Sequence, residues 1–306
     1  MALVHEFSWS ASRARMFHAC KRRYYLQYYL AWNGWDRGAS AERQRTYLLK
    51  KMTRMPMLAG EALHKALEEW FQSRQSGREF TREEVEKAAL AILRRGYRNS
   101  RDGTWRRSSK LVHLAEHHYE EEAIDEASGA AGAYGKRYVE RIQQAVTTFF
   151  ESAKLEEVRA VEPASYLAFE AMDTFTLFGT KVYAVPDLAY RRGEEVVIYD
   201  WKTGRPREED EEQLAVYTIY AREKWGVAPE QVETVDAYLP SDEVIGSRHS
   251  AEELVPVEEW IEVSMAEMRA VHFDAGEIDG DREAFPMVEA GSRECENCNF
   301  RELCDR

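Results

Sequence analysis

The stretch that most constrains this chain is residues 165–203, SYLAFEAMDTFTLFGTKVYAVPDLAYRRGEEVVIYDWKT, which alternates apolar with polar residues and is rich in β-branched and aromatic side chains. A two-residue period does not fit a helix. Turn signals at Asp173 and at Arg192-Gly193 divide the run, so the natural reading is three strands in a meander. At its end Asp200 and Lys202 flank Trp201, and strand alternation sends the first two to one face and Trp201 to the other. Asp187 falls on the neighbouring strand of this reading. Two carboxylates and an ammonium at a sheet edge suit a divalent metal and an activated water. The segment EEDEEQLAVYTIYAREKWG then reads as a helix, with Gln213 and Tyr217 one turn apart on one face. Residues 231–240 give a further strand, and residues 256–274 another helix.

Ahead of the strand run the pattern is helical. Residues 8–30 read as one helix capped by Ser8 or Ser10, with Phe17, Cys20, Tyr24 and Leu26 at helical spacing and Cys20 facing inward. A basic, exposed helix over 39–55 is expected to be broken by Pro56, and a second helix from Met57 carries Gly60 and His64 on one face. A lone histidine on such a helix is more often a packing residue than a ligand, unless later carboxylates join it. Residues 81–160 open with a Thr81/Glu84 capping box, and their last helix is expected to run to about Leu155. The acidic run Glu120–Glu126 and the segment ASGAAGAYG read as a helix end and a turn. Helices, meander, helix and strand in that order predict an α/β sandwich in one domain over 1–306. Within it 1–160 is mainly helical, 161–240 is β-rich and 241–306 is a helix and cysteine tail, with 77–160 a helical insertion.

The chain carries 42 Lys+Arg against 55 Asp+Glu, a net charge of −13. That total hides an asymmetry: residues 1–110 hold 23 basic and 11 acidic side chains, while the remainder holds 19 and 44. A basic third inside an acidic protein points to a polyanionic partner or to two solvated faces of opposite sign. Lys21, Arg22 and Arg23 precede a run of tyrosines, and Arg94, Arg95, Arg98, Arg106 and Arg107 are interleaved with Tyr97 and Trp105. Such mixtures can grip a nucleic-acid strand by phosphate attraction and base stacking, or simply form a solvated loop. No apolar run approaches the roughly 20 residues needed to cross a bilayer, and the N-terminal residues lack a signal-peptide core, so a cytoplasmic protein away from membranes is expected. No phosphate loop of the G-x4-G-K-[ST] kind occurs, so any helicase action is expected from a partner chain.

Four cysteines are too few for a disulfide scaffold in a chain of this length, and their placement is uneven. Cys295, Cys298 and Cys304 stand as C-x2-C-x5-C, with Cys20 far upstream. Three local thiolates and a distant one satisfy either a four-cysteine zinc site or a 4Fe–4S cluster, and spacing leaves both open with zinc slightly ahead. Either metal would tie the two ends of the chain together.

Taken together, G-x3-H at Gly60 and His64, the Asp of VPDLAY at Asp187, D-x-K at Asp200 and Lys202, Q-x3-Y at Gln213 and Tyr217, and the split cysteine pattern resemble the RecB-like branch of the PD-(D/E)XK nuclease superfamily. They resemble in particular its iron–sulfur subset, which includes the CRISPR-adaptation nuclease, AddB-type domains and exonuclease V. The resemblance spans Cys20 to Cys304, though 77–160 carries no matching motif, and Asp200 stands where many relatives have Glu. It implies a restriction-endonuclease-like core with a mixed central sheet flanked by helices, and a metal-dependent deoxyribonuclease, expected to be an exonuclease acting on single strands or DNA ends. It further implies Mg2+ or Mn2+ held by His64, Asp187 and Asp200, with Lys202, Gln213 and Tyr217 completing the site, and a 4Fe–4S cluster rather than zinc on Cys20, Cys295, Cys298 and Cys304. Helicase, repair or CRISPR-type defence partners follow from the same likeness. The alternative is a nucleic-acid-binding or assembly subunit that keeps the fold without the catalysis.

Overall fold

The computed structural model describes residues 4–121, 124, 130–169 and 173–306. Of the Glu120–Glu126 run only Glu120, Glu121 and Ile124 are described; of ASGAAGAYG, residues 127–129 lie outside the described residues, while residues 130–135 open a helix instead of the expected turn. Glu170, by its strand pattern an ordinary surface or ladder residue rather than a metal ligand, lies outside the described residues altogether. Elements are numbered in chain order. The helices are α1 (Ala11–Ala19), α2 (Lys21–Tyr25), α3 (Ala41–Lys50), α4 (Met55–Gln75), α5 (Arg82–Arg101), α6 (Ala115–His118), α7 (Ala130–Glu151), α8 (Glu156–Ala160), α9 (Glu208–Trp225), α10 (Ala251–Ala270) and α11 (Arg293–Glu296). The strands are β1 (Met52–Thr53), β2 (His113–Leu114), β3 (Tyr166–Ala168), β4 (Asp173–Leu177), β5 (Thr180–Ala184), β6 (Leu188–Arg192), β7 (Glu195–Lys202), β8 (Val232–Tyr238) and β9 (Glu243–Ser247).

Two compact units share the chain. One comprises Met1–Met52, Thr176–Tyr183 and Glu258–Arg306, and the other Thr53–Phe175 and Ala184–Val257. The second unit holds a five-stranded sheet in the order β3-β6-β7-β8-β9. Only β7 and β8 run parallel, joined by α9, so the sheet is mixed and the fold is α/β. On one face β7 and β8 bury Val197, Tyr199, Trp201, Val235 and Ala237 in a core with Leu63, Leu67 and Phe71 of α4, Val85 and Ala89 of α5 and Val146 and Phe149 of α7. The opposite face receives α9, whose residues Leu214 to Ala221 are buried without a break. Four acids in the first turn of α9 face the positive end of its dipole.

Several boundaries differ from the sequence reading, each for a physical reason. The meander of three strands is instead five, because β4 and β5 pair with each other as a separate ribbon turned at Phe178-Gly179. Asp173 begins β4 rather than making the turn. Pro56 lies in the first turn of α4, where its missing N–H costs nothing, so it starts a helix instead of ending one. The helix over 8–30 is interrupted: Cys20 is extended, at φ −162°, and its sulfur accepts the Arg23 N–H at 3.4 Å. Periodicity continues across that break, so the interruption is tertiary in origin. Helix α7 ends at Glu151, ahead of the expected Leu155. The short strand β9 had no clear signal.

In the first unit, Tyr24, Tyr25, Tyr29, Phe273 and Phe285 pack as a continuous aromatic cluster with ring centroids 4.5 to 6.5 Å apart. This cluster ties the N-terminal helices to the C-terminal segment. Arg22 reinforces it from inside, donating to the Phe285 carbonyl at 2.7 Å.

Candidate active site and cysteine pocket

The C-terminal end of β7 and the helices α4 and α9 border an open cavity of about 560 Å³, lined among others by Gly60, His64, Asp187, Asp200, Lys202, Gln213 and Tyr217. Strand alternation places Asp200 and Lys202 toward this cavity and Trp201 into the core, where it is 2% exposed. Asp187 is not on a strand. It immediately precedes β6, and its Oδ2 accepts the Trp201 N–H at 2.5 Å, which fixes it beside the end of β7. Gly60 has a steric reason: a Cβ there would lie 3.3 Å from Thr203 Oγ1, so glycine lets α4 approach the strand end closely. His64, four residues on, then reaches both sides of the site. Its Nε2 is 2.7 Å from the Trp201 carbonyl and its Nδ1 is 3.1 Å from Asp187 Oδ1.

Asp200 is 5% exposed and well satisfied. Gln213 Nε2 donates to its Oδ1 at 2.8 Å, the Tyr217 hydroxyl lies 2.9 Å from the same oxygen, and Lys202 Nζ is 2.8 Å from Oδ2. Gln213 also accepts from Lys202 at 3.2 Å, so one amide spans acid and base. The Tyr217 hydroxyl is also 2.8 Å from the Val185 carbonyl. Burial, with Asp200 and Asp187 nearby, raises the Tyr217 phenol well above its usual range, so it remains a proton donor. Burial by itself pulls the Lys202 ammonium down, but Asp200, Asp236 and Asp210 outweigh it and hold the group above the usual lysine value.

Three contributors were not foreseen. Asp236 pairs in register with Asp200 across the parallel strands and is 3% exposed. Asp210 lies 3.4 Å from Lys202, and Tyr238 donates to Asp210 at 2.8 Å. The available signal in QVETVDAYLP was Asp236, an acid between the apolar Val235 and Ala237.

The four cysteines, none in a disulfide, line one small cavity of about 20 Å³ in the first unit. Leu26, Met287 and Val288 supply its apolar wall, and Arg23, Arg301 and Arg306 lie around it. The break at Cys20 and the turns around Cys295 and Cys304 therefore bring residues from both chain ends to one place. Burial raises the Cys298 and Cys304 thiols, while Arg23 and Arg22 respectively oppose that shift. Among the described residues, no group of three or more His, Cys, Asp or Glu is already drawn around a single metal-binding point.

The basic residues separate into different roles. Arg22 is 5% exposed and spent inside the first unit, a correction to its expected place on a phosphate-binding face. Lys21 lies over the Phe17 ring, and Arg23 lines the cysteine cavity. Arg94, Arg95, Arg98, Arg106 and Arg107 are exposed on the second unit. Trp105 is stacked on His113 at 3.6 Å with Arg106 also over its ring, which leaves little of the indole for a base.

The family model for the PD-(D/E)XK nuclease superfamily matches residues 8–305. The chain belongs to that superfamily. No curated protein matches it. Members of the superfamily are in general nucleases that hydrolyse phosphodiester bonds with divalent metals. A nucleic acid is the substrate class that follows. Among the described residues no helix is long and apolar enough to cross a membrane.

Proposed function

We propose that the protein is a Mg2+- or Mn2+-dependent deoxyribonuclease of the RecB-like kind, acting on single strands or free DNA ends. The observation that carries this reading is the convergence of His64, Asp187, Asp200 and Lys202 on one 560 Å³ cavity. The donor set suits a hard divalent ion. Asp187 Oδ1 and the Trp201 carbonyl both face His64, whose ring can donate to both only when doubly protonated, and a cation could satisfy the same oxygens. His64, Asp187 and Asp200 would hold the ion, with the Trp201 carbonyl beside them, and it would supply an acidified water and a polarised phosphate oxygen. Lys202 orients the attacking water and neutralises charge developing on the phosphate. Gln213 and Tyr217 keep Asp200 and Lys202 in mutual register. Arg141, Arg205 and Arg207 line the same cavity and would draw in the phosphate backbone, with Arg94, Arg95, Arg98, Arg106 and Arg107 adding positive charge elsewhere on the unit.

For the cysteine pocket we propose a 4Fe–4S cluster on Cys20, Cys295, Cys298 and Cys304, with zinc as the competing occupant. Four thiols on one cavity supply the donors for either, and Arg23 at Cys298 and Arg22 at Cys304 work against the burial that disfavours their thiolates. The test is a cleavage assay on end-labelled single- and double-stranded DNA with Mg2+, Mn2+ or EDTA. Metal-dependent loss of label supports the enzyme, and its pattern gives polarity. A stable shifted complex with no cleavage in any metal supports the binding subunit instead. A brown protein with broad visible absorbance supports the cluster, whereas colourless protein with stoichiometric zinc after anaerobic purification refutes it.

A further inference from the structure

Asp236 is a buried carboxylate that the reaction as described does not use. Among the described residues no hydrogen bond reaches its Oδ1, although the atom is fully enclosed. Its other oxygen is 3.5 Å from the Tyr238 hydroxyl, but that hydroxyl has one proton and lies 2.8 Å from Asp210. The cation beside it is Lys202, 3.5 Å from Oδ1. Burying a carboxylate with so little compensation is costly, and valine or threonine would fill this buried strand position, flanked by Val235 and Ala237, without that cost. The residue is also placed with purpose: β7 and β8 run parallel with Asp200 opposite Asp236 and Lys202 opposite Tyr238, so Lys202 rises between two acids on adjacent strands.

We propose that Asp236 is a positioning residue for Lys202, holding the ammonium from the β8 side. The inference rests on the nuclease reading of the site for its catalytic consequence. Lys202 has its shortest contact with Asp200, yet Asp200 is also one of the carboxylates proposed above to hold the divalent ion. An ammonium that relied on Asp200 alone would compete with the ion for the same oxygen. Asp236 and Asp210 give Lys202 acceptors outside the ligand set, so base and ligand remain side by side. Burial pushes the Asp236 carboxyl up to about 7, which agrees with an acid strained by its surroundings and relieved by Lys202. Such a residue trades stability for function.

The experiment compares Asp236→Asn with wild type for kcat, KM, oligonucleotide binding in EDTA and melting temperature. It adds a thermal cycle of wild type, Asp236→Asn, Lys202→Met and the double variant. The expected result is a kcat lower by about tenfold or more, with KM and binding little changed and melting temperature unchanged or higher. In the cycle, Asp236→Asn should raise the melting temperature more in the Lys202→Met background than in wild type, because without the ammonium the buried Asp236 loses the cation that relieves its burial. Wild-type kcat in Asp236→Asn, a kcat loss matched by a fall in melting temperature, or no coupling in the cycle would overturn the proposal. If wild type cleaves nothing, the nuclease reading falls, while the cycle still decides whether Asp236 acts on Lys202.

Discussion

In the candidate active-site cavity each acid already has a proton donor or an ammonium beside it, whereas the cysteine pocket offers its sulfurs weak contacts at 3.4 Å, an apolar wall and surrounding arginines. Asp187 takes the Trp201 N–H, Asp200 takes Gln213 and lies beside Lys202, and Asp210 takes Tyr238. By contrast, Cys20 and Cys298 each accept one N–H at 3.4 Å, and Cys295 lies 3.4 Å from Ser292 Oγ. The first array is drawn from elements that the sheet and α4 and α9 fix regardless of any ligand. The second joins the two ends of the chain around a cavity that only four thiols make chemically distinctive. The first region holds its geometry through its own hydrogen bonds, and the second, on the proposal of a bound metal, is the one that a ligand would complete. Loss of function and loss of stability should separate between them.

The sharpest break of that comparison is at Asp200 and Lys202. Replacing either with alanine should lower metal-dependent cleavage by about 10³-fold while DNA binding survives, as read by gel shift beside the cleavage assay. A parallel loss of binding would mean that the array also carries the substrate grip. At the other array, Cys298→Ser should cost about 4 kcal/mol or more, seen as a lower denaturation midpoint and loss of visible absorbance. A variant that keeps both would place the cysteines outside any metal site.

Smaller effects refine the contrast. Tyr217→Phe removes a hydroxyl 2.9 Å from Asp200, and cleavage should fall between about tenfold and a hundredfold, with the melting temperature nearly unchanged. The least effect concerns acid. His113, buried against Trp105 and facing His118, Arg106 and His117, is held by burial, then by His118, at about 4, below the usual 6.5. The unfolded chain protonates it first, so its contribution to stability is present above pH 6.5 and is lost as pH falls from about 6.5 to 4. His113→Phe should remove about 2 kcal/mol of that acid dependence, measured by urea midpoints at pH 4, 5, 6 and 7. An unaltered slope would move the acid sensitivity to another group, including the carboxylates of the catalytic cavity.

Much of the candidate site's local geometry was legible because its residues are close in sequence and obey a two-residue or one-turn period. Asp200 and Lys202 on one face, Trp201 on the other, and Gln213 beside Tyr217 follow from strand and helix geometry alone. Asp236 and Asp210 were not legible, since their meaning depends on which strand lies beside β7 and no local pattern states that β8 runs parallel to it. The Thr81/Glu84 capping box was readable as a local hydrogen-bond exchange. Strands β4 and β5 were readable as strands, but not as a ribbon separate from the main sheet.

What the sequence alone determined is therefore the chemistry of short range: which residues alternate, which cap, and which acid stands beside which base. Tertiary structure alone decided the partners across distance. It set Asp187 against the Trp201 amide, broke the first helix at Cys20 so that a thiol from one chain end meets three from the other, and placed Asp236 behind Lys202. The physical reason is that backbone geometry fixes neighbours within a turn or a pleat, while strand order and the closing of long loops are settled by burial of the whole core.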